Sequence, residues 1–376
     1  MIYLDYSANT PADPAVLEAF YKAEKTYIGN PNSAHCAGQA ARAEMARVTD
    51  HIAELLGADP AGVIYTSGAS ESNNLAIKGI AQASRRLGRH IISTELEHSS
   101  VDGTLGFLRQ QGWEIDLAET GRDGMIDLRR LRELLRQDTV LVSVCAVDSE
   151  LGTVQPVRRI AELLKEFPNC RLHVDATQAV GKTGLTMEGV DTMSIAPHKF
   201  YGLNGSGLLL KKRDLTLEPQ IHGGASTTPY RSGTPALALA ISAEKALQLA
   251  LDNREERVSR VRELNVRLRE ALSGYPAVRF NSPEGAVPHI LNLSVRGVKG
   301  TVFQQALSRY GVCVSVRSAC STAGMPSKAV FAVSRDRRNA LSSWRISISH
   351  LTTREEIEAF LRIFDACYRE LVPPGI

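Results

Sequence analysis

From about residue 60 to residue 212 the chain alternates short β-rich runs with helical stretches, and this rhythm limits the possible folds more than any other feature. Val63-Ile64-Tyr65-Thr66 reads as a strand and Glu71 to Ala83 as a helix. His90-Ile91-Ile92-Ser93 reads as the next strand and Ser99 to Gln111 as the next helix. Val140 to Val144 is continuously apolar apart from Ser143, as expected of a strand covered on both faces. Ile160 to Phe167 is helical with Pro168 as its stop, and Arg171 to Val174 is again strand-like. Such alternation predicts an α/β fold with a mostly parallel sheet under helices. Ligand sites in such sheets form beyond the carboxyl ends of the strands.

The 376 residues exceed what one hydrophobic core usually holds, so two domains are expected. A helical stretch from Pro235 to Leu272, broken near Asp252-Asn253, bridges to an α+β second part. That part has a strand at Ile290–Ser294, a helix from Thr301 to Tyr310, and strands near Val312–Val316 and Trp344–Ile348. Thr353 followed by Glu356 is a capping box opening a last helix to Leu371. The formal charge of +3, from 44 basic against 41 acidic residues, argues against direct nucleic-acid binding. No run reaches the length of a membrane span, and the start lacks the pattern of a signal peptide, so a cytoplasmic location is expected. The six cysteines form no C-x-x-C pair, which argues against a zinc site or a disulfide framework.

Asp175 ends one apolar run, and His198-Lys199 follows the next. An acid on a ring nitrogen and a lysine on an aldehyde would hold pyridoxal phosphate (PLP). A helix cap and a solvated lysine explain either piece alone. Ser67 to Ser72 lies between a strand and a helix, where free N–H groups bind phosphate, although Ser70 also suits plain capping. His98 at a strand end fits either a structural ring or one lying over a flat heterocycle. Gln178, three residues past Asp175, is placed for a ring oxygen. Thr234 precedes a proline and offers a phosphate contact or an ordinary cap. Cys320 sits in a small, polar stretch beside Arg317, which favours thiolate character. Arg345 in a strand-like run would clamp a carboxylate or form a buried ion pair.

These pieces, in this order, resemble the NifS/IscS-type cysteine desulfurases of the class V aminotransferase family. The resemblance runs from Tyr3–Pro11 through Gly29-Asn30-Pro31, Thr66–Asn74, Glu97-His98, His173–Gln178, His198-Lys199, His222–Gly224 and Arg231–Thr234 to Ser318–Cys320 and Arg345. It implies a PLP-dependent transferase of fold type I. Residues 12–254 would form the large domain, with a seven-stranded-type sheet. Residues 1–11 and 255–376 would form the smaller α+β domain carrying the cysteine loop. Lys199 would be the Schiff-base lysine, Asp175 the partner of the pyridine nitrogen, Gln178 that of the phenolic oxygen, and His98 the stacking and catalytic ring. Ser70 and His198 would bind the phosphate, with Thr234 reaching across a homodimer. Arg345, Asn30 and Ser149 would bind substrate. Cys320 would take sulfur from L-cysteine as a persulfide, releasing alanine. A protein acceptor would then collect the sulfur for iron–sulfur assembly or for thiolation of nucleic acid or a cofactor. The resemblance implies no metal.

Four positions depart from the family pattern: Ser149, Ala196, Leu203 and Arg317. Ser149 stands for an asparagine, Ala196 for a phosphate-binding serine, Leu203 for a proline and Arg317 for a glycine. They keep a selenocysteine lyase or another PLP-dependent cysteine lyase as alternatives, with a catalytically silent PLP-binding scaffold further off.

Overall fold

The computed structural model describes residues 1–316 and 325–373. Its strands, in chain order, are β1 (Ile2–Tyr3), β2 (Val63–Thr66), β3 (His90–Thr94), β4 (Glu114–Ala118), β5 (Thr139–Cys145), β6 (Arg171–Asp175), β7 (Thr192–Ile195), β8 (Gly207–Lys211), β9 (Val278–Phe280), β10 (Ile290–Val295), β11 (Val312–Cys313) and β12 (Ser343–Ser347). A seven-stranded sheet runs in the order β2-β8-β7-β6-β5-β3-β4. Strands β4, β3, β5, β6 and β7 are mutually parallel, while β8 runs against both β7 and β2. Every residue of β5 is buried, as an apolar run interrupted only by Ser143 leads one to expect.

Helices Ala69–Ser84 and Ser99–Gln110 follow β2 and β3, as the sequence predicts. One core includes Ile92, Val142, Val144, Leu172, Val174 and Leu210, joined by the apolar stripe of helix Cys36–Leu56. A second, with Ile77, Ile91, Leu141 and Leu209, includes residues of helices Ala69–Ser84 and Ser99–Gln110. The sequence reading did not name β4, β7 or β8. The Gly207-Leu208-Leu209-Leu210 run is short and follows a glycine turn, so nothing in its period separates strand from loop.

A separate core gathers Leu4 with Val261, Leu268, Leu293, Phe303, Trp344, Ile346, Phe360 and Phe364. It lies on the antiparallel sheet β12-β10-β9, beside the parallel pair β1–β11. Thus the first residues pack with the last third of the chain. The long helical stretch is helix Leu237–Asp252 followed by helix Arg254–Ser273, parted at Asn253. The final helix, Arg354–Leu371, opens on the Thr353–Glu356 capping box. The expected strand over 312–316 pairs only at Val312 and Cys313; beyond it Ser315 bridges singly to Arg345. Among the described residues no helix is long and apolar enough to cross a membrane.

Candidate active site

The segments after β2, β3, β5, β6 and β7 converge on one cavity of about 360 Å³ at the carboxyl ends of the strands. Ser67 to Glu71, Leu96, His98, Cys145, Ser149, Asp175, Gln178, His198, Lys199 and Arg345 line it, with Ser7 and Ala8 from the N-terminal segment.

Asp175 closes β6 in register with Cys145 of β5 and Ser194 of β7, and it is buried. Its Oδ2 accepts from Asn73 Nδ2 at 2.8 Å and its Oδ1 from the Thr177 N–H at 3.0 Å. Asn73 Oδ1 lies 3.0 Å from His173 Nε2, and His173 Nδ1 lies 2.9 Å from Thr192 Oγ1. Burial lowers the His173 pKa to about 4, so the ring is neutral. Asn73 turns its amide nitrogen to Asp175, which leaves its oxygen to accept from His173 Nε2–H. Asn73 Nδ2 also reaches Ser100 Oγ at 2.9 Å, and Ser100 Oγ lies 2.9 Å from His98 Nδ1. The Ser100 backbone N–H donates to the same His98 nitrogen at 3.2 Å. In the neutral His98 ring the hydrogen therefore sits on Nε2.

Lys199 ends the 3₁₀ turn Pro197–Lys199. Its Nζ donates to the carbonyls of Ser7 at 2.8 Å and Ala8 at 2.6 Å. Gly202 is required just after it, because a Cβ there would stand 2.4 Å from Pro197 Cβ. Burial, together with the charge of Lys199, lowers the His198 pKa to about 4. Gln178 is buried, donating from Nε2 to the Ser7 carbonyl at 2.9 Å.

Helix Ala69–Ser84 starts at Gly68 with no side-chain cap, so its leading N–H groups have no intrahelical acceptor. Glu71, on the cavity wall, accepts from the Ser67 N–H at 2.7 Å and pairs with Arg231 at 2.9 Å. Below the cavity, burial raises the Glu97 carboxyl to about 8, although Thr94 and the Cys145 N–H both donate to its Oε1.

Arg345 is 1% exposed and lines the cavity as expected. It also makes the buried ion pair: Nη2 meets Asp5 Oδ1 at 2.9 Å, and Nη1 donates to the Ser149 carbonyl at 2.6 Å. Its Nε has no partner among the described residues. Ser149 thus stands at the cavity wall with its carbonyl already engaged.

Two expected residues are not brought into this cavity. Asn30 is exposed, and its Oδ1 closes a local turn on the Asn32 N–H at 2.9 Å. Thr234 is exposed on a neighbouring groove with Ser67, Ser206 and Arg231. Cys320 and Arg317 lie outside the described residues. Sequence reasoning missed Asn73, Ser100 and His173 as the groups that orient Asp175 and His98. The signal was a histidine between Leu172 and Val174 in a central strand, which no solvated face explains.

The residues present fit PLP. The uncapped helix start offers N–H donors for a phosphate, Asp175 is a buried carboxylate held by two donors, and Lys199 is an amine on the same wall. Ala196, also on the wall, supplies no side-chain donor. Among the described residues, no group of three His, Cys, Asp or Glu side chains is placed to hold a metal ion.

Comparisons with known proteins agree with this arrangement. Residues 2–360 match the family described as Aminotransferase class-V. The chain is 35% identical over 375 residues to the NifS/IcsS protein homolog of Lactobacillus delbrueckii subsp. bulgaricus, covering 98% of this chain and 97% of that one. It is 38% identical over 367 residues to cysteine desulfurase IscS of Pectobacterium carotovorum subsp. carotovorum, covering 95% and 90%. A solved NifS-like protein superposes with a TM-score of 0.93 at 31% identity, covering 98% of this chain and all of the other.

Proposed function

This chain belongs to the class-V aminotransferase family, and from that premise we propose that it is a NifS/IscS-type cysteine desulfurase, removing sulfur from L-cysteine and releasing L-alanine. The observation that carries the reading is one cavity wall bearing Asp175, Lys199, His98 and an uncapped helix start. PLP, when bound, supplies the electron sink for charge at the amino acid's α-carbon.

Asp175, fixed by Asn73 and Thr177, would be the acidic partner of the ring nitrogen and would favour its protonated form. Lys199 would hold the cofactor through its amine, on the wall it shares with Asp175. His198, neutral at working pH, and the N–H groups at Ser70 bind the phosphate. Gln178 Nε2 has two hydrogens; Ser7 takes one, and the second serves the phenolic oxygen. His98 carries its proton at Nε2, the atom free to exchange it. Arg345 keeps its remaining Nη–H groups for the substrate carboxylate, and Ser149 lines the same wall. Cys320 is the thiol that attacks the substrate sulfur. The carbon–sulfur bond breaks with its electron pair left on the carbon fragment, which takes up the proton given up by the thiol and leaves as alanine, and a sulfur–sulfur bond forms on Cys320. A protein acceptor then takes the sulfur.

The working molecule is a cytoplasmic homodimer in which Thr234 serves the partner's phosphate. Its large domain spans 12–254 and its small domain 1–11 with 255–376. Leu4 packing in the core of the C-terminal third supports that division. The test is a pair of variants given cysteine. Lys199→Ala should lose both the visible cofactor band and alanine formation, while Cys320→Ala should keep the band and lose sulfur release. A colourless wild-type protein indifferent to added PLP would overturn the reading.

A further inference from the structure

We propose that Lys182 is a positioning residue that orients the Gln178 amide and tunes the cofactor's phenolic oxygen through it. The inference rests on the reading that Gln178 faces PLP. Lys182 lies four residues past Gln178, at the end of the turn after β6, and its Nζ donates to Gln178 Oε1 at 2.6 Å. Below its pKa of about 7 the Lys182 amine is an ammonium, which can only donate. Gln178 therefore turns its oxygen to Lys182 and its nitrogen to Ser7 and the cofactor wall, the one orientation that presents a donor to a phenolic oxygen. The opposite orientation would set a carbonyl oxygen against that oxygen.

The surroundings give this contact weight. Lys182 keeps some solvent contact along its length, but its amine end is crowded. It lines a small cavity of about 20 Å³ behind Lys199, with His289, His350, Arg257, Tyr6 and Tyr201. The charges that act on it are Lys199 and Arg345, both cationic, and its own charge in turn disfavours protonation of His289. Burial and these like charges lower its pKa to about 7. No carboxylate forms an ion pair with it among the described residues, and Gln178 Oε1 is the acceptor it has. A lysine kept at such a place without an acid is explained by the amide it holds. Below pH 7 the ammonium draws electron density through the amide, making Nε2 a stronger donor, which favours the ionised phenolic oxygen.

The test follows the cofactor's absorbance against pH in the PLP-loaded protein. In Lys182→Met the midpoint of the pH-dependent band should rise by about one unit, because the ionised oxygen loses support. Gln178→Ala should raise it by a similar amount. Gln178→Ala combined with Lys182→Met should add little further, since Lys182 acts through the amide. An unmoved midpoint in Lys182→Met, or a full second shift in the double variant, overturns the proposal. Should Lys182→Met fail to fold, Lys182→Gln replaces it and should move the midpoint in the same direction by less; an unmoved midpoint there is equally fatal. Wild-type protein that takes up no PLP would sink the assignment of the site itself, a different failure.

Discussion

At the residue scale, Asp175 and Lys199 were legible because each stands where a parallel sheet presents chemistry, just past a strand end. Their supports were not legible. Asn73 reaches Asp175 across 102 positions, and Arg345 reaches Asp5 across 340; no local pattern encodes pairings at such separations. The buried acid Glu97 carries a prediction of its own. Burial raises its carboxyl to about 8, so the folded chain keeps a proton that the unfolded chain releases above the ordinary value of 4.5. That contribution to stability is full below pH 4.5 and is lost as pH rises through 8. The neutral histidines His173, His198 and His350, each lowered to about 4, act in the other direction; their contribution is full above 6.5 and lost as pH falls toward 4. Between pH 6.5 and 8 they are silent. Glu97→Gln should therefore gain on wild type by about 1.5 kcal/mol across that window. Urea unfolding at the two pH values checks this, and an unchanged gap would place the Glu97 pKa near that of an ordinary carboxyl.

At the element scale, the loop proposed to hold the phosphate depends on β8, the antiparallel strand whose existence the sequence concealed. Gly207, its first residue, lets the loop after β2 lie against it: a Cβ there would fall 2.5 Å from Gly68 Cα and 2.6 Å from Thr66 Oγ1. Gly207→Ala must push the Ser67–Ser70 turn outward, while the ladder with β7, which begins at Leu208, stays intact. PLP affinity, read by fluorescence titration of the cofactor-free protein, should fall about tenfold or more. Wild-type affinity would mean that the turn does not hold the phosphate. The helices were easier to read from sequence than such short strands. The break at Asn253 and the Thr353 capping box follow from local chemistry alone.

At the scale of the whole molecule, the chain closes on itself: Leu4 enters the core of the C-terminal third, and the Ser7 and Ala8 carbonyls hold Lys199. One chain nevertheless leaves Thr234 outside its own cavity. If Thr234 serves the neighbouring subunit, Thr234→Ala should weaken PLP binding in every site of its own homodimer. Mixed dimers of Thr234→Ala with Lys199→Ala should then regain one full site, because the Thr234→Ala chain keeps Lys199 and receives Thr234 from its partner. Cysteine turnover in refolded mixtures reads this directly; no recovery would place Thr234 in its own chain's site or in none. The central claim is that sulfur passes from cysteine to Cys320. Its most direct test is mass spectrometry of the PLP-loaded protein after brief exposure to L-cysteine, without reductant. The account predicts one added sulfur on the peptide carrying Cys320, with alanine formed in equal amount. Pyruvate and ammonia in place of alanine, with no sulfur on that peptide, would contradict it.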